Sequence, residues 1–267
     1  MSYSNYYANS GMYHGSTPLL MGTRLDVLLF GADRYPLETV WTGMEKELRS
    51  LEKMLNRFDP ASETSKINSE ASFSAVKLSD ELWDILLNCR RYYELTDGYF
   101  DITLTDFDKI VFIEESHQIL FKKHGMKLDF GGYGKGYALK CLRKLLDDAG
   151  IRQALINFGN SSVLALGSHP YGNSWQIGIE GLANEGRLPS IDLCDTSLSV
   201  SGNTPACKDH IINPKTSERI TGDQMVAIVA DDPVDAETLT TAWIASGSDD
   251  SPDLMEKFNL KNKYRIK

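Results

Sequence analysis

Leu128-Asp129-Phe130-Gly131-Gly132-Tyr133-Gly134-Lys135-Gly136-Tyr137 joins two kinds of periodicity. Met126 to Phe130 reads as a short β-type run, and Tyr137 to Ala149 has the spacing of a helix. Four glycines in six positions clear side chains from the backbone where the strand becomes the helix, so a ligand can approach closely. Open amides at a helix start favour anionic groups, phosphate above all. Lys135 adds a positive charge, and Asp129 a carboxylate that can meet a metal or a hydroxyl. The motif is not a P-loop, because Gly136 follows Lys135 where Ser or Thr is needed. It is not the dinucleotide fingerprint either, because Tyr137 stands where the last glycine belongs. The glycines alone account equally well for a tight turn with a solvated lysine.

Downstream, Leu142, Leu145, Leu146 and Ala149 continue the helix pattern, and Gly150 is a suitable stop. Strand-like runs follow at Ala154–Phe158, Val163–Leu166 and Trp175–Glu180, then Leu198–Val200, a short one at His210–Pro214, and Met225–Ala230. Ala236 to Ala245 reads as a helix that carries Thr238, Thr240 and Thr241 in its interior. Glu237 and Thr241, four apart, share one of its faces. Interior threonines are mildly unfavourable, so either a polar task or back-bonding to a carbonyl one turn earlier is expected of them.

Upstream, residues 1–19 show no periodicity and read as an N-terminal arm, and Thr23 to Phe30 alternates as a strand. Pro36 opens a helix whose apolar stripe is Leu37, Trp41, Met44, Leu48, Leu51 and Leu55, barred from continuing by Pro60. Ala61 to Glu70 is polar and reads as a solvated loop. Ser79 is placed to cap a second amphipathic helix, which runs out at Asp97-Gly98 just before Tyr99-Phe100-Asp101. Ile110–Ile113 and Gln118–Phe121 read as a β-hairpin. Helices and strands mix without regular βαβ alternation, so the expected class is α+β with a largely antiparallel sheet. Beyond the arm, residues 20–267 form a single domain, as one body or two intimately packed lobes.

A formal charge of -9, from 28 Lys and Arg against 37 Asp and Glu, argues against a nucleic-acid partner. The four cysteines include no C-x-x-C pair, so neither a zinc site nor a disulfide framework is indicated. No run is long enough to span a bilayer, and Met1 to Ser16 lacks the apolar segment of a signal peptide. As written, the sequence points to the cytoplasm; a chain trimmed of its export signal, periplasmic or lipid-anchored, would look the same.

Eight motifs then fall in order. They are Met21-Gly22-Thr23; Asn56 to Asn68; Thr96 to Asp101; Asp129 to Tyr137; Ile156 to Gly159; Ser201-Gly202; His210 to Pro214; and Ala236 to Ala242. Together they resemble the FAD:protein FMN transferase family (the ApbE family). The resemblance implies a magnesium-dependent enzyme that moves FMN from FAD to a Ser or Thr hydroxyl of an acceptor protein bearing a flavinylation motif, releasing AMP. The alternatives it leaves open are a FAD pyrophosphatase, giving FMN and AMP, and a flavin-binding protein without catalysis. By the same resemblance, Met21, Phe58, Tyr99, Phe100, Asp101, Gly131, Tyr137 and Ile211 line the FAD site. The Gly134 carbonyl with the side chains of Glu237 and Thr241 forms the magnesium site. His210 is implied in transfer and suits acid–base work, with Asp101 a second candidate for orienting substrate. Glu237 stands where the family carries aspartate, one methylene shorter.

Overall fold

Met225 to Ala230 is apolar at every position because both faces of the sheet are covered there, and that sheet organises the molecule. The computed structural model describes residues 2–179, 190–203, 211–222, 224–247, 257–258 and 260–266. In chain order the elements are β1 (Tyr3–Tyr7), β2 (Met12–Leu20), β3 (Thr23–Phe30), α1 (Arg34–Leu55), α2 (Glu63–Glu70), β4 (Val76–Lys77) and α3 (Asp80–Leu95). Then come β5 (Ile110–Ile113), β6 (Gln118–Phe121), α4 (Gly134–Asp148), β7 (Ala154–Phe158), β8 (Ser162–Leu166), β9 (Trp175–Ile177) and β10 (Ile191–Leu193). The last are β11 (Ser197–Gly202), β12 (Met225–Ala230), α5 (Pro233–Ser246) and β13 (Leu260–Ile266).

Eight strands form one sheet in the order β1-β2-β3-β7-β8-β11-β12-β13, and each neighbouring pair is antiparallel. The α+β class read from the sequence is the one observed. In β12, Val226, Ile228 and Ala230 enter the main core with the helices, while Met225, Ala227 and Val229 face a second core with Trp175, Ile191 and Leu193. Period-two alternation therefore exists in the packing but not in the hydropathy. The α1 stripe from Leu37 to Leu55 is buried as expected, Ser79 caps α3 by accepting from the Leu82 amide, and Gly150 at φ +71 follows α4.

Four expectations are corrected. The stretch 1–19 carries two strands, β1 and β2, rather than an arm. In β2 the inward positions include Gly15 and Thr17, so the alternation carries no hydropathy signal; Gly15 is inward because the Trp41 ring lies where its Cβ would be. The polar segment 61–70 is largely α2, a helix fixed by its surroundings. Ser62 accepts from the Ser65 amide at 3.0 Å, Thr64 Oγ1 donates to the Met54 carbonyl at 2.8 Å, and Ile67 is buried. Met126–Phe130 joins no sheet. The Asn68 side chain takes the place of a neighbouring strand, accepting from the Leu128 amide at 2.6 Å and donating to its carbonyl at 3.1 Å. Finally, β9 ends at Ile177, and Gly178 and Ile179 are not strand; Glu180 lies outside the described residues.

No helix among the described residues is long and apolar enough to cross a membrane.

Candidate active-site cleft

The glycine stretch lies between two layers. Behind it, α4 packs against α5, and the contact is close because Gly132 and Gly136 have no side chains. A Cβ on Gly136 would stand 2.7 Å from both Glu237 Cβ and the Pro233 carbonyl oxygen, and one on Gly132 would stand 2.9 Å from Thr241 Oγ1. In front of it opens a cleft of about 540 Å³, walled by the Met21-Gly22 turn, the end of α1 with Asn56-Arg57-Phe58, and the stretch Asp129 to Lys135.

Within the glycine stretch some amides are already engaged. Asp129 Oδ1 accepts from Gly131 at 2.9 Å, and the Phe130 carbonyl accepts from Tyr133 at 3.0 Å and Gly134 at 2.7 Å. The amides of Lys135 and Gly136, in the first turn of α4, have no backbone acceptor among the described residues. First-turn donors of this kind, with the helix dipole behind them, suit an anion.

Lys135 reaches from the cleft to Glu237, with 2.5 Å between Nζ and Oε1. Glu237 is 3% exposed. Its other oxygen, Oε2, accepts from Ser162 Oγ at 2.5 Å and Ser199 Oγ at 2.9 Å. Hydroxyls of Ser201 and Thr240 extend this buried network, Ser201 donating to Thr240 Oγ1 at 2.9 Å. The helical threonines back-bond as one of the two readings expected: Thr238 to Val234, Thr240 to Glu237 and Thr241 to Glu237. Since Thr241 donates its proton to the Glu237 carbonyl at 3.1 Å, its oxygen keeps lone pairs for another partner.

At the mouth, Met21 adopts a left-handed backbone conformation at φ +48, and its amide donates to Glu52 Oε1 at 3.0 Å. Phe58 is 78% exposed and carries the Arg57 guanidinium over its ring at 4.4 Å. Arg57 Nε lies 3.0 Å from Asp129 Oδ2.

Of the residues expected to bind FAD, the structure brings Met21, Phe58 and Gly131 to this cleft, together with Gly134 of the expected magnesium set. Glu237 joins them through Lys135, and Thr241 lies against Gly132. Tyr99, Phe100, Asp101, Tyr137 and Ile211 are not in its wall. Phe100 is buried in the core, and Tyr99 lies under the ammonium of Lys215. Asp101, expected to orient substrate, spends its carboxylate on its own loop: Oδ1 accepts from Thr103 N at 2.6 Å and Thr103 Oγ1 at 2.7 Å. Burial pushes its carboxyl up from the ordinary value, and those hydrogen bonds only partly oppose it. The Tyr137 hydroxyl donates to Glu81 Oε1 at 3.2 Å and its ring stacks on Tyr133; burial, with Cys141 and Glu81 nearby, pushes the phenol up. Ile211 packs against the main core from a turn closed by the Ile220 amide. His210 lies outside the described residues.

Several cleft residues escaped the sequence reading. Leu19, Glu52, Arg57 and Ser161 all contribute to the wall. Arg57 directly precedes Phe58 inside a motif already singled out, and that adjacency was the available signal. Ser162 and Ser199 carry no such mark.

A family model described as the ApbE family matches residues 21–118 and 104–264. A FAD:protein FMN transferase of Rhodobacter capsulatus is 30% identical over 149 residues, which cover 53% of this chain and 28% of that protein. One of Escherichia coli is 20% identical over 282 residues, covering 90% and 80%. Among solved structures, the ApbE protein of Thermotoga maritima superposes with a TM-score of 0.81 at 20% identity, covering 96% of this chain and 97% of that one. The flavin transferase ApbE of Vibrio cholerae gives 0.81 at 17% identity, covering 96% and 97%. With the family model spanning most of its length and the same fold in both structures, the chain belongs to the ApbE family.

Proposed function

We propose that this protein is a FAD:protein FMN transferase, moving FMN from FAD to a Ser or Thr hydroxyl of an acceptor protein with release of AMP. The observation that carries this reading is the placement of Lys135. It stands in the first turn of α4, lines a cleft of dinucleotide size, and is anchored by a buried carboxylate. Relatives named FAD:protein FMN transferase supply the substrate class.

The chemistry follows from charge. The acceptor oxygen forms a bond to the phosphorus of the FMN moiety. The bond from that phosphorus to the bridging oxygen breaks, AMP leaves with the bridging oxygen, and the hydroxyl proton passes to a base. We assign that base to His210. Phosphoryl transfer asks little of the protein beyond positioning and charge stabilisation. The Lys135 amide and ammonium address the pyrophosphate; Met21 and Phe58 offer apolar contact at the mouth.

The donor set fits magnesium. A Glu237 carboxylate oxygen, the Thr241 hydroxyl with its lone pairs free, and the Gly134 carbonyl are all hard oxygen donors. Gly132 and Gly136 let the α4 start lie directly against Thr241 and Glu237, where a side chain at either position would overlap them. These three residues would hold the ion, which when bound supplies positive charge to the pyrophosphate and the departing AMP.

The test is chromatography of FAD incubated with the protein and magnesium, with an EDTA control, with and without a protein carrying a flavinylation motif. AMP together with a covalently fluorescent acceptor band establishes the transferase. Free FMN and AMP without acceptor make the chain a pyrophosphatase instead, and FAD intact in every tube makes it a binding protein.

A further inference from the structure

Arg57 sits just past the C-terminus of α1, in the wall of the cleft. Two contacts hold it. Nε is shut off from solvent and lies 3.0 Å from Asp129 Oδ2, an ion pair that lacks the alignment of a hydrogen bond, while the guanidinium carbon sits 4.4 Å over the Phe58 ring. Asp129 is itself immobilised, since Oδ1 accepts from the Gly131 amide at 2.9 Å. One edge of the guanidinium is thus drawn by charge to the glycine stretch, and one face lies on an aromatic ring. The terminal nitrogens have no hydrogen-bond partner among the described residues, and the side chain is 32% exposed.

Lys135 is the other cation of the cleft, and it is paired with Glu237. Arg57 therefore brings the unspent donors. A guanidinium presents a planar fork that matches two oxygens of a phosphoryl group, and one already held in place loses little side-chain freedom on binding. Asp129 does not repel such a ligand strongly, because Oδ1 accepts from the Gly131 amide and Oδ2 is paired in charge with Arg57 itself.

We propose that Arg57 is a phosphate-binding residue of the cleft, its terminal nitrogens gripping a phosphoryl group of the FAD pyrophosphate, with Asp129 and Phe58 positioning it. The inference rests on the FAD reading above and adds to it the residue that reads the pyrophosphate.

The test measures FAD binding by quenching of flavin fluorescence, and its displacement by inorganic pyrophosphate, for the wild-type chain, Arg57→Ala and Arg57→Lys. Loss of a charge-assisted hydrogen bond predicts FAD binding weaker by roughly 10- to 100-fold in Arg57→Ala, with pyrophosphate competition weakened alike. Arg57→Lys keeps the charge but not the fork and should fall between. Thermal unfolding run in parallel shows whether each variant is folded; if Arg57→Ala is not, Arg57→Lys decides. FAD and pyrophosphate affinities within twofold of wild type in the folded variants overturn the assignment. A wild-type chain that ignores FAD but binds pyrophosphate through Arg57 overturns the FAD reading and leaves the anion site standing; one that binds neither overturns both.

Discussion

Lys135 and Glu237, 102 residues apart in sequence, meet with 2.5 Å between Nζ and Oε1. Their side chains are 21% and 4% exposed, so the pair is largely withdrawn from water and ties the start of α4 to the interior of α5. Removing one partner of such a pair strands the other charge. Lys135→Met is expected to destabilise the fold by about 3 kcal/mol, because Glu237 then keeps only the two serine hydroxyls. The double variant Lys135→Met/Glu237→Met should be more stable than Lys135→Met alone, since no charge remains buried. Urea unfolding followed by tryptophan fluorescence reads both. A double variant that simply sums the two single losses would show that the residues are not coupled.

That pairing marks the limit of what the sequence conveys. Lys135 is legible as a cation at a helix start, and the α1 stripe and the Ser79 cap follow from local spacing. What Lys135 touches is decided by the packing of α4 on α5, which no local pattern encodes. The same holds for α2: its polar residues read as a loop until Met54 and Leu128 supply partners for Thr64 and Asn68. Asp101 and Tyr137 also stand in motifs, and their neighbours too are set by the fold. Their polar atoms meet Thr103 and Glu81.

Two glycines in helices should respond oppositely to alanine. At Gly136 the new Cβ would stand 2.7 Å from Glu237 Cβ and from the Pro233 carbonyl, so α4 must move away from α5. Overpacking of this kind costs about 1–3 kcal/mol. At Gly43, inside α1, nothing lies within 4 Å of the added atom, and the gain in helix propensity is about 0.5–1 kcal/mol. Calorimetry should place Gly136→Ala below wild type in Tm and Gly43→Ala above it. Gly136→Ala at or above wild type would mean the α4–α5 contact is looser than described.

Met21 holds a left-handed backbone at the cleft mouth, a conformation that costs a residue with a Cβ about 1 kcal/mol, and Glu52 accepts its amide proton. Glu52→Ala removes that acceptor, so the turn should relax and FAD binding should weaken severalfold with about 1 kcal/mol lost in stability. Glu52→Gln keeps a side-chain oxygen and should stay near wild type on both measures. Titration of FAD against the two variants, alongside their unfolding curves, checks it; equal behaviour of Ala and Gln would remove Glu52 from any role in holding Met21.

Cys141 lies within 4.8 Å of the carboxylates of Glu47 and Glu81, and burial together with those charges pushes its thiol up to about 12. At pH 8 roughly one Cys141 in ten thousand is then a thiolate, the form that reacts. Iodoacetamide at that pH should spare Cys141 and the buried Cys89 and modify the exposed Cys194 first among the described cysteines, read by peptide mass spectrometry. The same shift has a consequence for stability. An ordinary thiol loses its proton near 9.0, so above that pH the unfolded chain releases a proton that folded Cys141 keeps. The folded state therefore binds more protons between about 9 and about 12, and stability must fall as the pH rises through that window. Tyr133 and Tyr137, both pushed up by burial, add to the slope once the pH passes the ordinary phenol value of 10.0. Comparing wild type with Cys141→Ala between pH 9 and pH 10 isolates the thiol. The variant should lose stability less steeply over that interval, and an unchanged slope would mean that folded Cys141 ionises as an ordinary thiol does.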